Sequence, residues 1–255
     1  MIYYGDFILK LVVFISGLFL GSFINVIIYR IPREESIVSP RSRCPECGQK
    51  LRILELVPLI SFVILRGKCS QCGQNISWRY PLVEFITGFL FILNFMFTAG
   101  PWEFVSGLFF IFFTLPLIFI DIDFQILPDR LTLTGMACGL ILSFIRPGLN
   151  PLMSIAGVLA GGTSLLLVAM ITKGGMGGGD IKLLMCTGAF LGPHFALLSI
   201  FLGAFLGLLV SLPQMVRGQL GLKSKLPFGP YLVIAALILW FWGAEIIGIY
   251  WHMLI

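Results

Sequence analysis

The sequence predicts an all-α polytopic membrane protein of about eight transmembrane helices, with one polar, cysteine-bearing loop domain on the cytoplasmic side. Three observations predict it. Of 255 residues, 58% are hydrophobic and 11% charged, and the mean hydropathy is +1.01, outside the composition of ordinary soluble domains. Apolar runs of spanning length recur along the chain. Nine of the seventeen basic residues (Arg30, Arg33, Arg41, Arg43, Lys50, Arg52, Arg66, Lys68 and Arg79) fall in the one long polar insert, which the positive-inside rule therefore places in the cytoplasm.

The first apolar run, 7–28, is too long for a signal-peptide core and lacks a small-residue cleavage site, so it reads as a retained span from which nothing is removed. After the polar insert, apolar runs occupy 82–99, 104–120, 131–145, 152–171, 181–191, 195–212 and 231–249. Gly192-Pro193 divides the short sixth segment from its successor; one kinked span across them would make seven crossings rather than eight. With eight, the loops 121–130, 173–180 and 217–225 also lie on the cytoplasmic side, leaving mainly Lys10 and Arg146 outside. The net charge of +5 is thus a topology signal and gives no reason to expect nucleic acid as a partner. The bilayer is the expected partner, and nothing in the residues sets an oligomeric state.

Residues 30–81 carry Cys44-Pro-Glu-Cys47 and Cys69-Ser-Gln-Cys72, each pair followed by Gly-Gln. Two such knuckles match a tetrahedral four-thiolate zinc site with no open position, so the metal is expected to be structural. A reducing cytoplasm argues against a pair of disulfides. Cys138 and Cys186 lie in apolar runs and read as packing residues. Between the knuckles, 54–65 is apolar but interrupted by Glu55 and Pro58; it is expected to lie along the interface or under the metal site. The surrounding arginines and lysines can meet anionic head groups or simply enforce topology.

Two aspartate motifs end apolar segments on the same predicted side. Asp121 follows directly on 104–120, with Asp123 and Leu127-Pro128-Asp129 behind it, and Asp180 follows a stretch with five glycines in the six positions 174–179. A carboxylate beside hydrocarbon costs several kcal/mol unless solvated or paired, so such acids point to function. The glycines, Gly177 and Gly179 among them, permit close backbone approach and set Asp180 at the mouth of a helix, where free amides and nearby Lys182 favour the ionised form. Two acids sharing one proton can act as general base and general acid on a peptide bond. Asp123 reads equally as a site neighbour or an interfacial residue, and Asp129 reads best as a helix cap.

These residues closely resemble the type IV prepilin peptidases, membrane aspartyl enzymes of the Gly-x-Gly-Asp class. The matching features, in family order, are Gly21-Ser-Phe-Ile-Asn-Val-Ile-Ile-Tyr-Arg-Ile-Pro32, the paired cysteine motifs, Trp78-Arg-Tyr-Pro-Leu-Val-Glu84, Asp121 to Asp129, Gly175 to Lys182, and Leu226-Pro-Phe-Gly-Pro-Tyr231. Where the family motif often has a bulkier residue this chain has Gly178, which implies a softer approach to Asp180. The resemblance implies catalysis by Asp121 and Asp180, with Asp123, Asp129, Gly177, Gly179 and Lys182 as neighbours. It implies prepilin or pseudopilin substrates, cut at the cytoplasmic face of the bacterial inner membrane. It further implies methylation of the new amino terminus from S-adenosylmethionine, for which the residues themselves reveal no donor site. Glu84 reads as holding the substrate amine or, preferably, as an ion pair with Arg79. The expected organisation is a first span over 1–29, a zinc-binding loop over 30–81 that is part of the methyltransferase region, and a peptidase domain over 82–255. A peptidase without methylation stays open, as does an ion-coupled transporter, although no repeat or midplane acid supports the latter.

Overall fold

The structure is a computed structural model describing residues 2–172, 176–218 and 227–254, with side chains from 7 to 249 within those limits. Lys173, Gly174 and Gly175 of the glycine run, most of the basic loop 217–225, and Leu226 of the Leu-Pro-Phe-Gly-Pro-Tyr motif lie outside the described residues. Helices and irregular connections make up the described chain, and it divides into two compact units, Met1–Thr98 and Ala99–Ile255. Among the described residues, six helices are long and apolar enough to cross a membrane.

The first unit pairs α1 (Ile2–Arg30) with α3 (Arg79–Phe97) and carries the cysteine loop, with its short α2 (Ile60–Ile64), between them. Small residues set the pairing. A Cβ on Gly17 would lie 2.7 Å from the Gly88 Cα, and one on Gly21 would lie 2.7 Å from the Glu84 Cα. This is the close crossing that glycines four apart allow between helices in lipid, where packing rather than the hydrophobic effect drives association. Phe7, Leu11, Ile15, Phe19 and Phe23, spaced by four along another face of α1, stay exposed as a lipid-facing stripe.

The second unit comprises α4 (Pro101–Phe124), α5 (Asp129–Leu142), α6 (Pro151–Ile171), α7 (Gly178–Val216) and α8 (Gly229–Leu254). Pro101 and Pro151 open their helices at the position where the missing N–H costs nothing, and the Asn150 side chain caps α6 by accepting from the Met153 amide at 2.8 Å. The Phe110 ring packs on Phe190 and Trp240, with centroids 5.3 and 5.1 Å away. The α6–α7 contact is glycine against backbone: a Cβ on Gly157 would fall on the Gly188 carbonyl, and one on Gly188 on the Gly157 carbonyl.

Among the described residues the eight apolar segments fall in seven helices, because 181–191 and 195–212 are two limbs of α7, bent at Gly192 (φ 78°) ahead of Pro193. At ~1.5 Å per residue, α7 with its 39 residues is about twice as long as a ~30 Å core, whereas α5 with 14 residues is shorter than one crossing. The expected number of spans therefore turns on these two elements. The bend frees two carbonyls, and both are recaptured: Ser154 Oγ donates to Ala189 at 2.6 Å and Arg146 Nη1 to Phe190 at 2.6 Å. Arg146 also lies over the Trp240 ring at 4.3 Å and 3.9 Å from Glu103. Irregular backbone in a bilayer is tolerated where such partners satisfy it.

Candidate active site and metal-binding loop

Asp121 occupies the last turn of α4 and is buried, and Asp180 occupies the first turn of α7 and is half-buried. The fold brings them within electrostatic range of each other. Each is held by a glycine. The Gly229 amide, at the start of α8, donates to Asp121 Oδ2 at 3.1 Å. A Cβ there would lie 2.7 Å from that oxygen, so the donor can approach only because residue 229 has no side chain. Asp180 reaches back to the amide of Gly177, the residue preceding the helix, as the third-position acid of a capping box does. Leu127 packs between the first turn of α7 and the start of α8: its side chain is 3.0 Å from a Cβ built on Gly179 and 3.3 Å from one built on Gly229.

Two neighbours depart from expectation. Lys182 turns to Asp129 rather than Asp180, donating to both of its carboxylate oxygens at 2.7 and 2.8 Å. The capping position of α5 is held by Pro128, so Asp129 is the first residue of the helix and makes no side-chain cap. The result is an ion pair tying α5 to α7 at the mouth of the site, exposed enough that it adds little to stability. Asp123 is exposed in the last turn of α4. Gly178 is helical with open space around it, so the softness expected there is taken up by the first turn of α7. Because a positional error near 1 Å can cost about 10²-fold in rate, Gly229→Ala should lower the turnover number by about that factor with little change in KM. An unchanged turnover number in a steady-state cleavage assay would remove Gly229 from the site.

In the first unit the knuckles are near-duplicates. The Cys44 amide donates to Gln49 and the Gly48 amide to Cys44; the Cys69 amide donates to Gln74 and the Gly73 amide to Cys69. Gly48 and Gly73 sit at φ 71° and 72°, in the left-handed region that a glycine adopts without penalty. All four Sγ atoms lie within 4.8 Å of one another, with Cys44 and Cys72 at 4.0 Å. A tetrahedral site with metal–sulfur bonds of ~2.3 Å has sulfur–sulfur edges of about 3.8 Å, so small side-chain shifts close it. The amides of Cys72 and Gln71 hold the Cys69 thiol down to about 7, towards the thiolate that ligates. The cluster can hold a metal ion.

The segment between the knuckles is a turn over Ile53–Leu56 followed by α2. Glu55 accepts from Ser70 Oγ at 2.5 Å and from the Arg52 amide at 2.7 Å, which keeps its carboxyl below the usual range and ties the turn to the second knuckle. Ile53, Leu54, Ile60, Val63 and Ile64 are exposed, as the interfacial reading requires. Glu84 does not pair with Arg79. Its carboxylate is buried and accepts from the Leu59 amide at 2.9 Å and from Ser22. Cys186 is buried against Gly135, and Cys138 is half-buried. Reasoning from sequence gave no role to Leu127, Gly229 or Asn25; for Gly229, the Gly-Pro pair opening an apolar run was the available signal.

Comparison with known proteins follows the same division. Residues 15–98 match the model of the bacterial peptidase A24 N-terminal domain, and residues 108–212 match that of the type IV leader peptidase family. The prepilin leader peptidase/N-methyltransferase of Dichelobacter nodosus is 35% identical over 269 residues, covering 92% of this chain and 93% of the relative. The Bacillus subtilis protein of the same name is 33% identical, with 95% and 98% covered. That of Myxococcus xanthus is 38% identical, with 88% and 68% covered. No solved structure matches. Matches to both family models, together with identity to these relatives over most of the chain, show that it belongs to the prepilin leader peptidase/N-methyltransferase family.

Proposed function

We propose that this protein cleaves the basic leader from prepilins or pseudopilins at the cytoplasmic face of a bacterial inner membrane, and then methylates the exposed amino terminus. One observation carries the peptidase reading: two acids from the ends of separate helices lie within electrostatic range of each other, each accepting from a glycine amide. Orientation is supported by the basic residues of the cysteine loop. A substrate with a basic leader in the cytoplasm and an apolar stem in the bilayer presents its scissile bond at the depth of these helix ends.

Asp121 and Asp180 share one proton. The ionised carboxylate takes a proton from a water lying between them, the water oxygen attacks the scissile carbonyl, and the protonated carboxylate gives its proton to the developing oxyanion. Collapse of the tetrahedral intermediate passes a proton to the leaving amine. The proton belongs to the pair, so neither residue is assigned as the base. The Lys182–Asp129 pair fixes α5 against α7 around this centre.

Zinc is the metal that suits four thiolates, held by Cys44, Cys47, Cys69 and Cys72, where it would brace the loop and take no part in hydrolysis. Elemental analysis of the purified protein should find about one zinc per chain, and Cys44→Ser should release it; a content well below one in the wild type would overturn the assignment. S-adenosylmethionine supplies an electrophilic methyl group when bound. The first unit has room for it, in a cavity of about 690 Å³ lined by Asn25, Tyr29, Tyr80 and Glu84. The test of the whole reading is incubation of detergent-purified enzyme with a prepilin and a labelled methyl donor. Leader release and label on the mature product are expected; no leader release would defeat the proposal.

A further inference from the structure

The cavity of the first unit has a wall that the peptidase reading leaves unused. Ser22, Asn25 and Tyr29 line it from one face of α1, and Tyr80 and Glu84 line it from the first turns of α3. The Gly21 crossing presses the α3 backbone onto α1 at Glu84, which sets that carboxylate beside Ser22. Asn25 is 2% exposed; its Nδ2 donates to the Tyr80 carbonyl at 3.1 Å, which fixes the amide orientation and turns Oδ1 into an acceptor without a partner. A buried amide oxygen left unmatched costs about 1–3 kcal/mol, so this atom, on a residue that lines the cavity, calls for a donor. Glu84 is 8% exposed and accepts from the Leu59 amide and Ser22, neither of them a cation. The one guanidinium on α1 is engaged elsewhere: Arg30 donates to the carbonyls of Ser36 and Pro40 at 2.8 and 2.7 Å. The rest of the cavity carries charges of both signs, Arg30, Arg33, Arg43 and Arg79 beside Glu35, Glu46 and Glu55; on this wall a buried carboxylate and a buried carbonyl oxygen match a ligand with several N–H donors and a positive charge.

We propose that Glu84 and Asn25 receive the free α-amine of the cleaved substrate, making this cavity the methyl-acceptor site. The inference rests on the methylation reading above. Glu84 takes one proton from the ammonium, and the nitrogen lone pair so exposed forms the new N–C bond while the C–S bond of a sulfonium methyl donor breaks, its electron pair staying on sulfur. The proton on Glu84 then passes to water, leaving a secondary ammonium as product.

The test uses binding as well as turnover. A fluorescent apolar peptide with a free amino terminus and its N-acetylated twin are titrated against the full-length enzyme in detergent. The wild type should hold the free amine at least about tenfold tighter than the acetylated form, which offers neither the charge nor the extra donors. Glu84→Gln and Asn25→Ala should each abolish that preference and leave the acetylated peptide's affinity unchanged, with bound metal and helix content as in the wild type. Asn25→Ala guards against a folding defect in Glu84→Gln, because it leaves the Leu59 contact intact. A preference that survives in both folded variants, or a wild type that releases the leader yet shows no preference, would overturn this site while leaving the peptidase reading in place. A wild type that releases no leader would instead defeat the reading itself.

Discussion

Asp121→Asn and Asp180→Asn should each lower leader cleavage by roughly 10²–10⁴-fold, the range for a positioned acid–base group. The double variant should be scarcely worse than either single one. That non-additivity follows from the proposed sharing of one proton: once one carboxyl is gone, the other has no partner with which to divide the work of base and acid. Each asparagine keeps the shape and the acceptor oxygen, so Asp121→Asn retains the bond from Gly229, and both variants should unfold cooperatively on heating, as the wild type does. Single-turnover cleavage of a prepilin in detergent measures the rates. Full activity in either variant would exclude that residue from the pair, and effects that multiply in the double variant would mean two independent roles.

Gly157→Val and Gly188→Val should produce the largest losses of stability. The ideal Cβ position at each lies on the other's carbonyl, so relief has to come from moving backbone rather than turning a side chain. Overpacking typically costs about 1–3 kcal/mol even where side chains can yield, and rigid backbone leaves less room to yield. Since α6 and α7 are joined through this contact and α7 carries Asp180, cleavage should fall alongside the melting temperature. Gly178→Leu is the matched control: it sits in open space near Asp180, and its melting temperature should stay within the scatter of surface substitutions. An unchanged melting temperature in Gly157→Val would show that the helices do not cross as described.

The helices and the chemistry-bearing residues were legible in the sequence to different degrees. Composition and charge bias announced the spans, because a chain with so little polar surface has few other ways to hide its backbone. Their limits were less clear: α4 runs on to Phe124 because helical hydrogen bonding continues through Asp121 and Asp123, where hydropathy had already fallen. The paired cysteines were plain because ligand spacing is local. The aspartates were also plain, since ionisable groups against apolar runs are rare. Nothing local announced Gly229 as the support of Asp121, the turn of Lys182 towards Asp129, or the withdrawal of Glu84 from Arg79. Each depends on which helices become neighbours, and a helix apolar on every side carries no stripe to reveal that.

The elbow at Gly192 gives the carboxylate at the near end of α7 an unexpected dependence on the far end of its own limb. The helical limb 178–191 is about 21 Å long, so each degree of rotation at its root sweeps the tip by ~0.4 Å. Its root is clamped by Arg146 through the Phe190 carbonyl and the Trp240 face. Loosening that clamp by a few degrees would carry Asp180 through about 1 Å, the misplacement that costs about 10²-fold in rate at a catalytic group, so Arg146 at one end of the limb sets the aim of Asp180 at the other.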